Sequence, residues 1–416
     1  MQQGALEGIM KHSFHYACGI LAFALIAAST QTASAQQSSG IPTVQGTLAG
    51  SRVAVFDTAK DSCELIDIPD APARAFVDDQ GTVHLVSSHY KMRASLGPTL
   101  ATVKHNCQVA YNSRHDPNPA DFDDSTWLDS FYSIDGKQIV ALGHMEYHGW
   151  EHPGECSEQG NYTAACWYNG DTFHLSKDGG YHFGSFKAPA NYILSVPYPY
   201  FVDQGPEGYS IDTNIVKAGD WYYAIATGWG WPNNCWTNNC LVLGGASPIR
   251  TSDILDPTSW RAWNGRDFSV SFEDPYLQPI TNPMDHIFTP IPTIGYVNAI
   301  NFHPASNLFV ATLIDIWDNF YGPEGVYLST SPDLIHWSQP TLVVTIADLL
   351  AKEPPGNWSY AYFSLLDPKS TDPNFSTITD TPYLYYVRSD DDHGPYVRVL
   401  YRQKIKLSWS QGNPAQ

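Results

Sequence analysis

Basic residues are scarce in this chain. It has 22 lysines and arginines against 42 aspartates and glutamates, so its formal net charge is -20 at pH 7. Nucleic acids and anionic lipid surfaces repel a strongly negative protein, because binding to either requires clustered positive charge. We therefore expect no nucleic-acid partner and no membrane partner, and a neutral or basic ligand fits this charge better.

Long hydrophobic runs are missing after the first residues. The one apolar run, 17–28, follows Lys11 and leads to a small-x-small pattern at 33–35, which is typical of a signal-peptidase site. The run is shorter than the roughly 20 residues that a membrane helix needs. We predict a signal peptide over 1–35, a linker over 36–47, and secretion into the periplasm or the extracellular space.

Cysteine is rare, with seven residues in the sequence, and Cys18 belongs to the predicted signal peptide. The remaining even number favours three disulfides in an exported protein. Zinc binding is the less favoured alternative, because no close cysteine pair is matched by a second CxxC or by spaced histidines. Local spacing favours the following pairs, although spacing alone does not prove connectivity: Cys156 with Cys166, Cys235 with Cys240, and by elimination Cys63 with Cys107.

Helical periodicity is also scarce. The best candidate is the short stretch 346–352, which stops at Glu353-Pro354-Pro355. Polar turns followed by apolar or aromatic strands recur instead along the whole chain. Five such units stand at 79–86, 135–142, 219–226, 306–312 and 381–387.

A second recurring element lies between these units. The stretch 331–337 runs from Ser331-Pro332-Asp333 to Trp337, and related stretches stand at 176–183 and 251–260. In each, an Asp side chain can accept backbone N–H bonds within a turn while an aromatic residue packs beneath it. We interpret these hairpins as structural rather than catalytic.

Strand units spaced by roughly 60 to 90 residues predict an all-β fold, a five-bladed β-propeller of four-stranded blades. No second linker divides 48–416, so we predict a single domain there, in which the early strand 52–56 pairs with the last blade. A β-sandwich with long insertions is the alternative, because it too has many short strands with turn signals. The blades are expected at about 70–110, 125–188, 195–264, 285–340 and 357–408.

The Gly-turn-Tyr-Tyr strand at 219–223 and the Ser-x-Asp-Leu-x-x-Trp hairpin at 331–337 resemble elements of the five-bladed propeller glycosidases. These include the arabinanases and xylosidases of glycoside hydrolase family 43 and the invertases of family 32. The hairpin 176–183 resembles the Asp-box of sialidase-type propellers, with Phe where Trp is usual. The chain also resembles exported bacterial proteins with Pro-Asp-Ala-Pro-x-Arg-Ala-Phe and His-x-Glu-Tyr motifs.

This resemblance implies a glycosidase that acts on an arabinan-like, xylan-like or fructan-like polysaccharide or oligosaccharide. In the family, three carboxylates at the inner ends of the first three blades act as base, acid and a third group that sets position and protonation. By position in the predicted blades, Asp70 corresponds to the family's carboxylate in the first blade. Asp212 offers a carboxylate in the third blade. Family 43 has Asp-Pro directly where this chain has Pro69-Asp70-Ala71-Pro72, which departs from the family pattern.

Glu146 is the strongest catalytic candidate from the residues themselves. Glycoside hydrolysis needs a carboxylic acid that protonates the leaving oxygen and a carboxylate on the opposite side of the bond. The apolar strand 139–149 places Glu146 on one face with His144 and His148, because side chains alternate along a strand. The structural alternative is a satisfied polar cluster that closes the strand.

We assign substrate binding to residues near these acids and to aromatic side chains that can stack on a sugar. For Asp70 with Arg74 the structural alternative is an ion pair, and for Asp212 it is a turn cap. The predicted substrate-binding set comprises Arg74, His144, Tyr147, His148, Asn214, Arg250, Trp358, Tyr360 and Tyr362.

His144, Glu146 and His148 also form a ligand set that zinc or iron accepts. Alternate side chains of a strand stand about 7 Å apart, too far for one ion unless the strand bulges. We therefore predict no metal ligand and no cofactor. A structural calcium at the acidic run 390–392 is conceivable, but the run lacks an ordered ligand spacing.

Other enzyme classes lack their motifs here, since no Gly-x-Ser-x-Gly, phosphate-binding loop or dinucleotide fingerprint stands in the required context. Two functions stay open: a secreted, monomeric glycoside hydrolase with a carbohydrate substrate, and a non-catalytic glycan-binding propeller. A polysaccharide lyase, in which His144 or Tyr147 abstracts a proton, is disfavoured because its anionic substrate would meet an acidic protein.

Overall fold

The computed structural model describes residues 40–230, 245–316 and 320–410. These residues form 24 strands and only two short α-helices, so the fold is mostly β, as predicted. The predicted signal peptide and the Cys235–Cys240 pair lie outside the described residues. Within those ranges, no helix has the length and apolar character that a membrane crossing requires.

Sheet I follows directly after the Pro-rich segment that contains Asp70. The strands β4 (Lys91–Met92) and β7 (Tyr111–Asn112), from the same part of the chain, form a separate two-stranded sheet. In hydrogen-bonding order, sheet I contains β2 (Arg74–Val77), β3 (Val83–Val86), β5 (Ser95–Gly97) and β6 (Lys104–His105).

Sheet II has ten strands and combines the second and third predicted blades. Its main path is β17 (Phe268–Ser271), β16 (Arg261–Trp263), β15 (Gly245–Thr251), β14 (Trp221–Gly230), β12 (Glu207–Ser210), β10 (Trp167–Ser176), β9 (Ile139–His148) and β8 (Ser125–Ser133). Two further strands lie off this path, β11 (Tyr192–Ser195) on β10 and β13 (Val216–Ala218) on β14. We name β8–β11 the first half of sheet II and β12–β17 its second half.

The two halves of sheet II are joined by one short parallel pairing between β10 and β12. Tyr168 stands opposite Glu207 and Asn169 opposite Gly208. This corrects the expectation of separate four-stranded blades, because backbone groups at the near ends of two neighbouring units hydrogen-bond to each other. No sheet in the described part of the chain closes on itself.

Sheets III and IV contain four strands each. Sheet III has the order β18 (Tyr296–His303), β19 (Leu308–Asp315), β20 (Gly325–Ser331) and β21 (Thr341–Thr345), and sheet IV the order β1 (Val44–Asp57), β24 (Arg398–Trp409), β23 (Tyr383–Asp390) and β22 (Trp358–Leu366). The helix α1 (Thr58–Asp61) follows β1, and α2 (Ile346–Leu350) follows β21, where the sequence predicts a helix.

Strand β1, near the start of the described chain, pairs with β24, the last strand. It pairs antiparallel with β24, from Val44 opposite Trp409 to Asp57 opposite Val399. The prediction that an early strand pairs with the last sheet is therefore confirmed. The predicted linker 36–47 extends too far, because Val44 is fully buried and 44–47 alternates between buried and exposed positions as a strand does.

Five hydrophobic clusters join neighbouring sheets face to face. They lie between sheet I and the first half of sheet II, between the two halves, between the second half and sheet III, between sheets III and IV, and between sheets IV and I. Each sheet therefore packs on two neighbours. In the same order, each cluster contains one of the following residues from each of its two sides: Phe76 and Phe131, Leu142 and Ala226, Ile225 and Ile300, Leu328 and Ile405, and Tyr385 and Leu85.

Two of the three predicted disulfides are formed within the described residues. Cys63 bonds to Cys107, which connects the segment before sheet I with the segment after β6. Cys156 bonds to Cys166 within the connection between β9 and β10. Both pairings agree with the sequence prediction.

The hairpin at 331–337 has the structural role that its sequence predicts. The Asp333 carboxylate accepts the backbone N–H of His336 at 2.8 Å, and Ser331 Oγ accepts the N–H of Leu334 at 2.8 Å. Trp337 lies beneath the turn with 2% of its surface exposed, and its indole N–H donates to the Leu334 carbonyl at 3.0 Å.

We expect Trp337→Ala to lower the free energy of unfolding by about 3–5 kcal/mol, because it leaves a cavity in the cluster between sheets II and III. His336→Ala is the control, since its side chain is 45% exposed and its surface ion pair contributes less than about 1 kcal/mol. Urea denaturation of both variants checks this expectation. Equal losses in the two variants would contradict it.

Candidate functional site

Asp70 is held by side chains from three strands. Tyr362 on β22 donates its hydroxyl to Oδ1 at 3.0 Å, and Trp127 on β8 donates its indole N–H to Oδ2 at 3.1 Å. Arg398 at the start of β24 forms an ion pair with Oδ1. Since the three donors approach from different strands, the position of the carboxylate is fixed by tertiary structure.

The charges around Asp70 favour its ionised form. Burial opposes ionisation, but Arg398 and His89 outweigh it, so the pKa of Asp70 lies below its usual value. His89 Nε2 lies 3.3 Å from Asp70 Oδ2. Burial lowers the pKa of His89 to about 4, so this imidazole is neutral at neutral pH. Arg398 is therefore the counter-ion of Asp70.

Glu146 lies on β9 between two histidines of the same strand face, as the alternation predicts. His148 Nε2 is 2.8 Å from Glu146 Oε2, and His144 Nε2 is 3.6 Å from Glu146 Oε1. The Glu146 side chain is 18% exposed, so a small part of the carboxylate remains accessible.

Both histidines are held in the protonated form. Burial lowers the pKa of each ring, but neighbouring carboxylates outweigh it and raise both values to about 10. For His148 these carboxylates are Glu146 and Glu151, and for His144 they are Asp212 and Glu146. The two imidazolium rings therefore enclose Glu146 with positive charge.

Asp212 reaches the same histidine from the connection between β12 and β13. Its Oδ1 lies 3.5 Å from His144 Nδ1, and its Oδ2 accepts the Ser210 hydroxyl at 3.0 Å. Burial raises the pKa of Asp212, but His144 outweighs this and the net pKa is lowered. His144 is thus a cationic bridge between Asp212 and Glu146.

Trp127 joins the surroundings of Asp70 to those of Glu146. Its N–H contacts Asp70, and its ring centroid lies 6.3 Å from that of His148. Burial raises the pKa of Tyr362, and the charges of Asp70 and Glu146 raise it further. Asp70, Glu146 and Asp212 therefore lie in one connected group with His144 and His148, which we call the acid cluster.

Arg74 does not pair with Asp70, contrary to the prediction, because Arg398 holds that carboxylate. Arg74 is 3% exposed and donates to backbone carbonyls of Asp129 at 2.8 Å and Asn298 at 2.7 Å, and also to the carbonyl of Asp212. Its guanidinium thus connects β2 with both halves of sheet II and with sheet III. This contact set is structural rather than that of a substrate ligand.

Tyr147 and Asn214 are also engaged by the protein rather than directed at the acid cluster. Tyr147 is fully buried in the core on the opposite face of β9 from Glu146, and its hydroxyl donates to the Pro117 carbonyl at 2.9 Å. The Asn214 amide bonds the backbone N–H and carbonyl of Ile300 at 2.9 and 2.7 Å. Asn214 therefore links the second half of sheet II to sheet III.

Three further predicted sugar ligands have contacts away from the acid cluster. The Arg250 guanidinium lies 4.0 Å from the ring centroid of Trp221. Tyr360 donates its hydroxyl to the buried carboxylate of Glu353, and the Trp358 indole donates to a backbone carbonyl at 2.8 Å. Of the three predicted aromatic ligands on β22, only Tyr362 reaches a carboxylate of the cluster.

Two buried carboxyl groups lie beside His144. Burial raises the pKa of Asp129 and Asp171 well above the usual value, which favours the protonated form of both. One oxygen of Asp129, one of Asp212 and one ring nitrogen of His144 lie within 4.8 Å of one another, a set that could hold a metal ion. This differs from the strand trio considered from the sequence, and Asp129 would have to lose its proton to bind a cation.

Sequence reasoning missed His89, Trp127 and Arg398. Trp127 carries no clear signal, because polar and apolar residues do not alternate along its strand, Ser125–Ser133. Arg398 carries none, since 328 residues separate it from Asp70. Such partners become visible only when sheet IV packs on sheet I.

We expect the protonated histidines to make stability depend on pH. Their pKa of about 10 exceeds the unfolded value of about 6.5, so their contribution is complete below about pH 6.5 and is lost as the pH rises through about 10. The free energy of unfolding of the wild type should therefore fall between pH 7 and 10.

The measurement compares urea denaturation of the wild type with a His144→Gln, His148→Gln double variant at pH 6, 8 and 10. The stability difference should be largest at pH 6 and shrink towards pH 10, by about 1.4 kcal/mol for each unit of pKa shift that is lost. A difference that stays constant over this range would show that the rings do not hold their protons.

No protein-family model matches the chain, and no curated protein matches it. An α-L-arabinofuranosidase of Podospora anserina, solved with cellotriose, is similar with a TM-score of 0.44 and 11% identity over 89% of this chain and 98% of that one.

Two further solved structures are similar to the same extent. An α-L-arabinanase mutant of Cellvibrio cellulosa has a TM-score of 0.40 and 10% identity over 81% of this chain and 91% of that one. A β-xylosidase/α-arabinofuranosidase of glycoside hydrolase family 43 from a compost microbial metagenome, solved with xylotriose, has a TM-score of 0.44 and 11% identity over 86% and 95%.

Proposed function

We propose that this protein is a secreted glycoside hydrolase whose sheets form a five-bladed β-propeller, with Asp70, Glu146 and Asp212 in its active site. The observation that carries the proposal is the meeting of these acids. The segment before sheet I supplies Asp70, the first half of sheet II supplies Glu146, and the second half supplies Asp212. Glycoside hydrolysis requires a pair of carboxyl groups on opposite sides of the scissile bond.

The propeller is supported by how the sheets pack. Sheet I, the two halves of sheet II, sheet III and sheet IV would be the five blades, and each packs on two neighbours. Sheets arranged around a common axis place residues from every sheet along one central cavity. A cavity beneath Arg74 has such a lining, with Ala75, Phe131, Asn214, Asn301 and Leu366 from the five units in turn.

The electrostatics suggest a division of roles among the acids. Asp70 has a lowered pKa and a fixed position, so it suits the base that takes a proton from the attacking water. We assign the proton donor for the leaving oxygen to Glu146, which His148 contacts at 2.8 Å. Asp212 holds His144, and His144 in turn orients Glu146.

The substrate we propose is a neutral arabinan-like, xylan-like or fructan-like chain. A net charge of -20 repels an anionic polymer such as a polyuronate. Export fits the two disulfides, because such bonds persist in oxidising compartments.

A non-catalytic glycan-binding function is the second candidate, and one observation favours it. Asp70 and Asp212 both have lowered pKa values, so neither suits the proton donor that hydrolysis requires. Catalysis then depends on Glu146 alone for this proton. A binder would keep the same hydrogen-bonding groups and need no donor.

We expect Glu146→Gln to lower kcat/KM by at least about a hundredfold on whichever polysaccharide the wild type cleaves, because the amide cannot deliver a proton. Asp70→Asn should cause a similar loss. A screen of arabinan, xylan and fructan with analysis of released sugars identifies the substrate, and single-substrate kinetics on the variants follow.

Glu324→Gln is the matched control, because the Glu324 side chain is exposed on the loop before β20. It should retain wild-type activity. Full activity of Glu146→Gln would disprove the proposed site. Binding of an oligosaccharide without hydrolysis by the wild type would favour the glycan-binding function.

A further inference from the structure

The connection between β9 and β10, residues 149–166, lies beside Glu146 and contains a covalently closed ring at 156–166. We call this connection the cross-linked loop, because the Cys156–Cys166 disulfide closes the ring within it. It starts with a 3₁₀ turn at Gly149–Glu151 and ends with another at Ala164–Cys166. Both ends continue into strands that carry the residues of the acid cluster or pair with them.

The disulfide is packed inside a small aromatic cluster. Trp150, Cys156 and Cys166 are buried together, with Tyr162 and Trp167 packed against them. The Gly160 N–H donates to the Trp150 carbonyl at 2.7 Å, which folds the middle of the loop back onto its start. The disulfide therefore fixes where the aromatic side chains of the loop lie.

The cross-linked loop also reaches the neighbouring segment that leads to β12. The Ser157 N–H donates to Asp203 Oδ1 at 3.1 Å, and the Gly205 N–H donates to the Ala165 carbonyl at 2.6 Å. These contacts attach both parts of the loop to the same side of sheet II. The position of the loop is therefore fixed by the disulfide and by these two hydrogen bonds.

Two residues of the loop contact His148, the partner of Glu146. The Trp150 ring stacks on the His148 ring with centroids 4.4 Å apart and an interplanar angle of 20°. Glu151 Oε1 lies 3.6 Å from His148 Nδ1. The loop therefore helps to orient the ring that binds Glu146 on its other side.

Tyr162 brings a third side chain of the loop towards Glu146. It stands edge-on to Trp150 with ring centroids 5.1 Å apart and is only partly buried. Trp150 in turn stacks on His148, and His148 contacts Glu146 at 2.8 Å, so Tyr162 is linked to the carboxylate through these two rings. An aromatic ring with a polar edge suits a sugar unit, because the ring can pack on one apolar face while the hydroxyl bonds a sugar hydroxyl.

We propose that the cross-linked loop forms one wall of the saccharide site beside Glu146 and that Tyr162 is a specificity-determining residue of this wall. The inference rests on the proposed function, because it assigns a sugar unit to the space beside Glu146. The occupant is a neutral sugar unit. Residues 149–166 contain Glu151, Glu155 and Glu158 and no lysine or arginine, so this wall favours a neutral unit over a uronate.

Two double variants that each remove one disulfide test this proposal. Cys156→Ala with Cys166→Ala releases the loop, and Cys63→Ala with Cys107→Ala is the matched control outside it. Binding of xylotriose and arabinotriose is measured by calorimetry, and hydrolysis of xylan and arabinan by kinetics, at a temperature where both variants are folded. We expect the first variant to raise Kd and KM by about two- to tenfold, and the control to keep wild-type values.

Single substitutions separate the role of Tyr162 from that of the disulfide. Tyr162→Ala should raise Kd and KM as loop release does, because the ring is lost. Tyr162→Phe should keep most of the affinity, because the ring remains. Trigalacturonate should bind more weakly than either neutral trisaccharide in every variant.

The outcomes distinguish this inference from the proposed hydrolase. Unchanged Kd after loop release, or equal losses in both double variants, would overturn the role of the loop. A wild type that binds the trisaccharides but cleaves no polysaccharide would overturn the hydrolase, while the Kd values still decide the role of the loop. A wild type that neither binds nor cleaves would overturn both.

Discussion

The buried guanidinium of Arg74 connects four parts of the fold at one point. It extends from β2 and donates to the carbonyls of Asp129, Asp212 and Asn298, which belong to both halves of sheet II and to sheet III. Burial lowers the pKa of Arg74 to about 10, and the nearby carboxyl groups of Asp129 and Asp212 oppose this. A buried cation with five N–H donors needs several acceptors, so the segments that supply them must converge.

This convergence allows acids from different sheets to act as one group. The two carboxylates with lowered pKa each have a cationic partner: Asp70 has Arg398 and Asp212 has His144. Pairing of this kind offsets the free energy lost when charges are buried. Burial dominates at Asp129 and Asp171 and raises the pKa of both carboxyl groups.

The local sequence pattern predicted those parts of the acid cluster and of the fold that depend on residues close together in the chain. The alternation of β9 places Glu146 with His144 and His148, and the same alternation should have excluded Tyr147, which faces the core. The positions of the strand units and the pairing of β1 with β24 were likewise predictable. The pairing of Asp70 with Arg74 was wrong, because nearness in sequence does not decide which cation reaches a buried carboxylate.

The sequence by itself determined the β-rich fold, the two disulfides within the described residues, the structural hairpin at 331–337 and the face of β9 that carries Glu146. Side-chain alternation, turn chemistry and cysteine spacing are short-range properties, so they can be read along one stretch of chain. Only the tertiary structure decided that Arg398 holds Asp70 and that β10 pairs with β12. These contacts join residues far apart in sequence, and packing between sheets selects them from many alternatives of similar local chemistry.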